Sequence, residues 1–130
     1  GAFLYSSNFS LGANIFFKLN TNLAKLMKNR NYISEIHEIH HTEKIDSPSG
    51  TAIHLESQIN NILNTKSKIT SKRIKTTPGI HQITYTSALD TIEIKHTANN
   101  RDGFAIGAII AAEWIKDKKG IYSMQDIFTI

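Results

Sequence analysis

The sequence predicts an α+β fold built on a mixed or antiparallel sheet of about four strands, with helices mainly on one face. Two segments space apolar residues three and four positions apart and a third is strongly apolar, which indicates three helices, and three others alternate isoleucine with polar residues, which indicates strands. Along the chain they follow the order helix, strand, helix, strands, helix. Because helices on one side leave the other sheet face open, we expect that face to be used for oligomerisation.

Each predicted helix has its own start and stop signals. The first follows a turn at residues 6–10 that can cap it, and it ends near Asn29. The second follows Pro48, with Ser49 or Thr51 as its N-cap. The third, over residues 102–117, is strongly apolar; Gly120 is its predicted stop, and Ser123 caps a short last turn.

The strands are predicted from alternation. Residues 32–41 read "YISEIHEIHH", which places Ile36, Glu38 and His40 on one face and Ile33, Glu35, His37 and Ile39 on the other. Residues 80–88 and 91–98 form two further alternating runs after the turn signal at Pro78 and Gly79. Their short connection predicts an antiparallel hairpin.

Composition excludes several classes of protein. A chain of 130 residues with 40% apolar residues suits one domain, and without cysteine it has neither disulfides nor a thiolate metal site. The net charge of +4 is spread out, and the basic segment 66–75 carries no aromatic residue on which bases could stack. We therefore expect a solvated strand or loop there, no nucleic acid and no membrane as partners, and, without a recognisable signal peptide, a cytoplasmic location.

The segment "EIHHTEKIDSPSGTA", residues 38–52, gathers groups that exchange protons or bind anions. His40 can act as general acid or base, because histidine titrates near neutral pH. Lys44 adds a cation that can bind a carboxylate or donate a proton. Gly50 and Thr51 lie where a turn enters a helix, so free backbone N–H groups there can hold a carboxylate or phosphate. The pattern predicts a site for an anionic substrate.

Two other interpretations of the histidines stay open on these residues alone. Paired histidines at a strand end are commonly surface or structural groups. A metal site from His37, His40, His41 and Asp46 is a weaker alternative, because the strand pleat points His37 away from His40. We expect no metal, and we treat His54, His81 and His96 as ordinary polar positions.

The same segment closely resembles the 4-hydroxy-tetrahydrodipicolinate reductase family, also called dihydrodipicolinate reductase, of bacterial diaminopimelate and lysine biosynthesis. The family signature, approximately E-x-H-H-x-x-K-x-D-x-P-S-G-T-A, is matched in register from Glu38 to Ala52. The stretches "SSNFSLGAN" and "TANNRDGFAIGA" are similar as well. The resemblance implies reduction of the cyclic imine formed from 4-hydroxy-tetrahydrodipicolinate, a small dicarboxylate, by hydride from NADH or NADPH.

The resemblance also implies roles for particular residues. His40 matches the proton donor or acceptor, and Lys44 the second proton donor. His41 matches a substrate-binding histidine, and Gly50 with Thr51 the pair that holds a substrate carboxylate. The cofactor-binding positions are Ser6, Ser7, Asn8 and Phe9 in the hinge, together with Arg101 and Phe104. Where the family often has Ala-Pro-Asn-Phe this chain has Ser-Ser-Asn-Phe, so the hinge match rests on Asn8 and Phe9.

No G-x-G-x-x-G fingerprint of a Rossmann dinucleotide-binding domain occurs in the chain. The resemblance therefore implies that residues 1–130 are the C-terminal substrate-binding and tetramer-forming domain, with a hinge at residues 1–10, and that this fragment is inactive alone. The residues that choose between NADH and NADPH would lie in the absent domain. A self-assembling structural domain without catalysis is the alternative, and a nucleic-acid-binding or metal-binding module is a third interpretation.

Overall fold

The computed structural model describes residues 1–6, 8–42, 44, 47–77, 79–100 and 102–128. In chain order its elements are β1 (Ala2–Tyr5), α1 (Leu11–Met27), β2 (Ile33–His40), α2 (Gly50–Leu63), β3 (Lys68–Arg73), β4 (Ile80–Thr86), β5 (Thr91–Thr97), α3 (Asp102–Ile115), β6 (Gly120–Ser123) and a 3-10 turn (Met124–Phe128). None of the described helices is both long enough and apolar enough to span a membrane.

The chain divides into two compact units. The first combines Gly1–Lys18 with Asn100–Ile130, and the second is Leu19–Asn99. The boundary between them falls within α1. That residues 1–130 act as a single substrate-binding and tetramer-forming domain, with residues 1–10 as its hinge, stays a prediction.

The second unit contains a four-stranded mixed sheet in the order β3-β2-β4-β5. Strand β2 pairs parallel with β3 and antiparallel with β4, and β4 pairs antiparallel with β5. The predicted mixed sheet and hairpin are therefore confirmed. The basic segment is also a strand, since β3 covers Lys68–Arg73. Its alternation of basic with small polar residues fits an edge strand that meets solvent.

One face of this sheet is packed and the other is partly open, as predicted. On the packed face Ile36 lies opposite Ile83, and both side chains are fully buried. Helix α2 contributes a fully buried stripe, Ala52, Leu55 and Ile59. Each large apolar side chain removed from water contributes about 1.5 to 3 kcal/mol. On the open face the residues of β2 are half-buried, and Ile33 keeps 70% of its surface exposed.

The first unit contains a two-stranded parallel pair, β1 and β6, which the sequence analysis did not predict. Each strand has only four residues, too few for alternation to be recognised. Here Gly120, which was predicted to end the third helix, is instead the first residue of β6. Helix α3 ends at Ile115. The predicted short last turn after Ser123 is present as the 3-10 turn, where the Ser123 N–H donates to Asp126 Oδ2 at 2.6 Å.

The three α-helices among the described residues are each followed by an Asn or Asp in the left-handed conformation: Asn29, Asn64 and Asp117, with φ of 63°, 54° and 67°. These residues adopt positive φ more readily than other residues that carry a side chain, because their short polar groups can hydrogen-bond locally. The Lys118 N–H then donates to the Ile115 carbonyl at 3.0 Å, which closes α3. The prediction for Gly120 was wrong because Asp117 had already supplied the left-handed residue.

Helix α3 approaches the backbone of the preceding segment closely at Gly107. A Cβ added there would lie 1.6 Å from the Phe9 carbonyl oxygen, so no side chain fits. The same segment starts α1, where the Ala13 N–H donates to Ser10 Oγ at 3.3 Å, which confirms the predicted cap within residues 6–10. The glycine therefore sets how closely α3 packs on the chain entering α1.

Candidate active site

The candidate site lies at the carboxyl end of β2, where the sheet register brings polar residues from three strands into one row. Glu38 on β2 lies opposite Ser71 on β3 and opposite His81 on β4. His40 follows two residues later on the same face of β2, so it stands beside Glu38. Helix α2 begins next to this row. The site is thus built where a central strand ends.

Glu38 is the centre of a hydrogen-bond network and its side chain is fully buried. Its Oε1 accepts from the Ser49 N–H at 2.9 Å and from Ser71 Oγ at 2.6 Å. Its Oε2 accepts from Ser49 Oγ and lies 3.0 Å from His40 Nε2 and 3.2 Å from His81 Nε2. Donors therefore surround both carboxylate oxygens.

This network keeps Glu38 ionised. Burial raises the pKa of its carboxyl group, but hydrogen bonds from His81, Ser49 and Ser71 lower the pKa by more, so the net value lies well below the usual range. A buried carboxylate without such donors would instead take up a proton. At neutral pH the site therefore holds one negative charge, next to two histidine rings.

His40 is buried, and burial lowers the pKa of its imidazole. The carboxylate of Glu38 partly offsets this shift, while the charges of His81 and Lys44 lower the pKa further. The ring is therefore neutral at neutral pH, and once protonated it releases the proton more readily than an exposed histidine would. Both properties suit a group that exchanges a proton with a substrate.

His81 corrects the sequence analysis, which treated it as an ordinary polar position. Its ring is buried and meets the ring of His40 edge to face, with 5.0 Å between centroids. Its Nε2 also lies 3.3 Å from Ser49 Oγ. His81 reaches the site because β4 pairs with β2, which places it opposite Glu38. The two residues are 43 positions apart, so alternation within one strand does not reveal their contact. Glu38 and Ser71 were likewise given no role, although the signature includes Glu38.

The start of α2 presents unpaired donors. Of the two predicted N-cap residues, Ser49 is the N-cap. Its Oγ accepts from the Ala52 N–H at 3.2 Å. The N–H groups of Gly50 and Thr51, in the first turn, have no hydrogen-bond partner among the residues that the structure describes. A Cβ added to Gly50 would meet no described atom within 4 Å. The helix start is therefore open to an approaching anion.

The remaining predicted residues of the motif lie on the same side. Lys44 is close enough to His40 for its charge to lower the histidine's pKa. Its backbone is held in place, since its N–H donates to the His41 carbonyl and its own carbonyl accepts from Arg73 Nε, both at 3.2 Å. These contacts place His41 and Lys44 beside His40, whose neighbour Glu38 accepts from the Ser49 N–H at the start of α2.

The predicted cofactor-binding residues that the structure describes, Ser6, Asn8, Phe9 and Phe104, belong to the first unit. Asn8 is fixed within the turn before α1, because its Oδ1 accepts from the Ser10 N–H at 2.8 Å and Ser6 Oγ donates to its carbonyl at 2.6 Å. Phe9 lines an apolar cavity of about 300 Å³ together with residues of β1 and α3. Phe104 on α3 is 48% exposed. Ser7 and Arg101 lie outside the described residues.

The metal set considered from the sequence is not brought together. His37 lies on the opposite face of β2, with its Nε2 3.5 Å from Glu35 Oε2, and Asp46 lies outside the described residues. A different group, Glu38, His40 and His81, has ligand atoms within 4.8 Å of one another, a spacing that could hold a cation. Its carboxylate, however, already accepts hydrogen bonds from Ser49 and Ser71, so the group is satisfied as a hydrogen-bond network.

Comparisons with known proteins agree on one family. The family model described as "Dihydrodipicolinate reductase, C-terminus" matches residues 12–128. A 4-hydroxy-tetrahydrodipicolinate reductase from Christiangramia forsetii is 49% identical, over 98% of this chain and 59% of the relative. Another from Wigglesworthia glossinidia brevipalpis is 43% identical, over 97% and 49%. The chain thus spans about half the length of the curated relatives it matches.

A solved structure has the same fold. Dipicolinate-bound dihydrodipicolinate reductase from Paenisporosarcina sp. TG-14 superposes with a TM-score of 0.80, over 95% of this chain and 54% of that one, at 23% identity.

Proposed function

We infer the function of this chain from its family: it belongs to the dihydrodipicolinate reductases, whose C-terminal region it matches. We propose that it forms the substrate-binding and catalytic part of a 4-hydroxy-tetrahydrodipicolinate reductase. The reaction reduces the cyclic imine formed from 4-hydroxy-tetrahydrodipicolinate to tetrahydrodipicolinate, with NADH or NADPH as the hydride donor. The relatives named for this activity support the proposal.

The observation that carries the proposal is Gly50 at the open start of α2. Its φ is not in the left-handed region, so the backbone does not require glycine there. Packing does not require it either, because a Cβ would meet no described atom within 4 Å. In the first turn of a helix alanine would be the more stabilising residue. A ligand that approaches the backbone closely explains the glycine, and free N–H groups at a helix start favour a carboxylate.

The proton chemistry falls to His40 and Lys44. Addition of a hydride to the conjugated imine builds negative charge on the ring, and one proton must neutralise it. His40 is neutral at rest and buried, so a proton that it takes up from solvent is readily passed to the substrate, and Lys44 is the second proton donor. Lys44 also places a positive charge near the substrate's carboxylates. His41, at the end of the same strand, would contact the substrate.

The described residues of the hinge fit a nicotinamide. Asn8 uses its Oδ1 within the turn, while its Nδ2 has no partner among the described residues and can donate to a carboxamide oxygen. Phe9 offers an apolar ring beside it. The proposed cofactor-binding residues also include Ser6, Ser7, Arg101 and Phe104. When bound, the cofactor supplies the hydride, and the rest of the cofactor would be held by a Rossmann domain outside these residues.

We also propose a homotetramer formed through the open face of the four-stranded sheet, and a cytoplasmic location. The exposed Ile33 on that face supports the proposed interface, because burial of apolar surface is the main driving force of association. The partly polar composition of the face suits an interface that also forms hydrogen bonds.

The test of the proposed site is titration of the full-length protein with pyridine-2,6-dicarboxylate, a planar mimic of the substrate. The parent should bind it, and Gly50→Ala should weaken binding by about tenfold, or ~1.4 kcal/mol, because the added methyl stands in the path of the carboxylate. Folding stability should be unchanged or slightly higher, since alanine is the better helix former.

Gly103→Ala is the matched control, because Gly103 also lies in the first turn of a helix and a Cβ there makes only ordinary contact, 3.6 Å from Ser10 Oγ. Dicarboxylate affinity should not change in that variant. Unchanged affinity in Gly50→Ala would mean that the carboxylate binds elsewhere. A protein that self-associates but neither binds the dicarboxylate nor turns over the substrate would support a purely structural domain.

A further inference from the structure

We propose that Glu38 is a positioning residue for His40: it accepts the Nε2 proton of the ring, so that Nδ1 is the nitrogen that exchanges a proton with the substrate. The proposal deepens the proposed function and rests on it for the identity of the reaction. It assigns no direct contact with the substrate to Glu38.

The carboxylate can only accept hydrogen bonds. Glu38 is ionised, because the Ser49 N–H, Ser49 Oγ and Ser71 Oγ all stabilise its charged form, and an ionised carboxylate has no proton to give. His40 Nε2 lies 3.0 Å from Oε2, within normal hydrogen-bond distance. Nε2 must therefore carry a proton. In a neutral imidazole the other nitrogen, Nδ1, then carries the lone pair.

The Nδ1 edge of the ring faces a residue without a side chain. A Cβ added to Gly79 would lie 3.7 Å from Nδ1 and 3.8 Å from Cε1 of His40. Gly79 has φ of 150°, a conformation that other residues rarely adopt. The edge that carries the lone pair is therefore bordered by bare backbone, and a small planar substrate can approach it more closely than it could beside a larger residue.

Three separate elements hold the carboxylate that orients the ring. Ser71 on β3 donates to Oε1, the Ser49 N–H at the start of α2 donates to the same oxygen, and His81 on β4 lies 3.2 Å from Oε2. Because these partners come from different directions, Glu38 cannot rotate without breaking several bonds. Because His40 is hydrogen-bonded to this carboxylate, the orientation of its ring is fixed as well. This arrangement follows the same logic as a carboxylate that fixes the tautomer of a catalytic histidine.

Other charged groups near the ring do not replace Glu38 as the acceptor. Those groups are His81 on β4, Lys44 after β2, Arg73 opposite His40 on β3, and His96 opposite His81 on β5. Each is a cation when charged. Glu38 is thus the described acid that faces the ring, and its loss should move the limb of the pH–rate profile that reports His40 to lower pH.

The first test measures the tautomer in the parent protein, and a variant serves only to assign the signals. Full-length protein labelled with 15N-histidine is studied by solid-state NMR, and the His40 signals are assigned by their loss in His40→Asn. We expect Nε2 to carry the proton and Nδ1 to be unprotonated near pH 7.5. A neutral ring with its proton on Nδ1 would overturn the proposal, whether or not the protein turns over the substrate.

The second test is Glu38→Gln. If the amide oxygen keeps the bonds from Ser49 N–H and Ser71, the amide NH₂ faces His40 Nε2, which must then accept a hydrogen bond. The proton should move to Nδ1, and kcat should fall by about 10²-fold, with KM changed less than threefold. An unchanged tautomer, or a loss confined to KM, would contradict a positioning role.

Glu35→Gln is the matched control. It removes the same charge from the same strand, but on the opposite face, where Glu35 pairs with His37. The His40 tautomer should be the same as in the parent. Absence of turnover in the parent itself would count against the proposed function, whereas the parent tautomer measurement would still decide the role of Glu38.

Discussion

The lowered pKa of His40 affects folding stability as well as the proposed proton exchange. Burial lowers the pKa of its ring, so the folded protein holds the His40 proton less tightly than the unfolded chain does, where histidine titrates near ~6.5. Below that pH the unfolded state binds a proton that the folded state does not. Folding stability should therefore fall as the pH drops below about 6.5.

The pH dependence can be measured by urea unfolding at pH 7.5 and pH 5.5. The parent should be less stable at the lower pH, and His40→Asn should show a smaller difference between the two pH values, because one of the groups that take up protons on unfolding is gone. An equal difference in parent and variant would mean that His40 has an ordinary pKa. Glu38 affects folding stability at a lower pH. Because the pKa of its carboxyl group is depressed in the folded protein, its contribution to the free energy of unfolding is present above about pH 4.3 and is lost on further acidification.

Most of the site could be predicted one residue at a time, but its centre could not. Alternation placed Glu38 and His40 on one face of a strand, and the turn before α2 predicted Ser49 or Thr51 as a cap, because both patterns depend on near neighbours. The contacts of Glu38 with Ser71 and His81 depend on strand register, which is set by the packing of the whole sheet. Near-neighbour patterns therefore indicated His40, the proposed proton-exchanging residue, whereas the contacts of Glu38 depend on long-range register.

Helix α3 offers a direct test of close packing within one element. Gly107→Ala should destabilise the protein by at least about 2 kcal/mol, because its Cβ would overlap the Phe9 carbonyl and force the helix away. Gly103→Ala on the same helix should be neutral or stabilise by up to about 1 kcal/mol. Thermal or urea unfolding measures both. Equal effects of the two substitutions would show that α3 does not pack on this segment as described.

Elements were predicted well where they are long and poorly where they are short. Helices of 14 to 17 residues and strands of seven or eight repeat their pattern several times. Strands β1 and β6 have four residues each and depend on pairing with each other, which only the folded chain provides. The end of α3 was misplaced because both Asp117 and Gly120 adopt positive φ, and the earlier one ends the helix.

The protein as a whole should associate through the open face of its four-stranded sheet. Sedimentation of the full-length protein should show a tetramer at micromolar concentration, and Ile33→Lys should weaken it, because a charge would replace an exposed apolar residue in the proposed interface. A stable monomer in the parent would contradict this prediction.

Residues 1–130 expressed alone should show no reductase activity, because they contain no dinucleotide fingerprint.

The most direct test of the catalytic account is the steady-state kinetics of His40→Ala in the full-length protein, with 4-hydroxy-tetrahydrodipicolinate as substrate and NADPH or NADH oxidation as the readout. If His40 exchanges the proton that neutralises the developing charge, kcat should fall by about 10²- to 10⁴-fold while KM stays within about threefold of the parent. A kcat within about twofold of the parent would contradict the account, and it would leave His40 as a structural partner of Glu38.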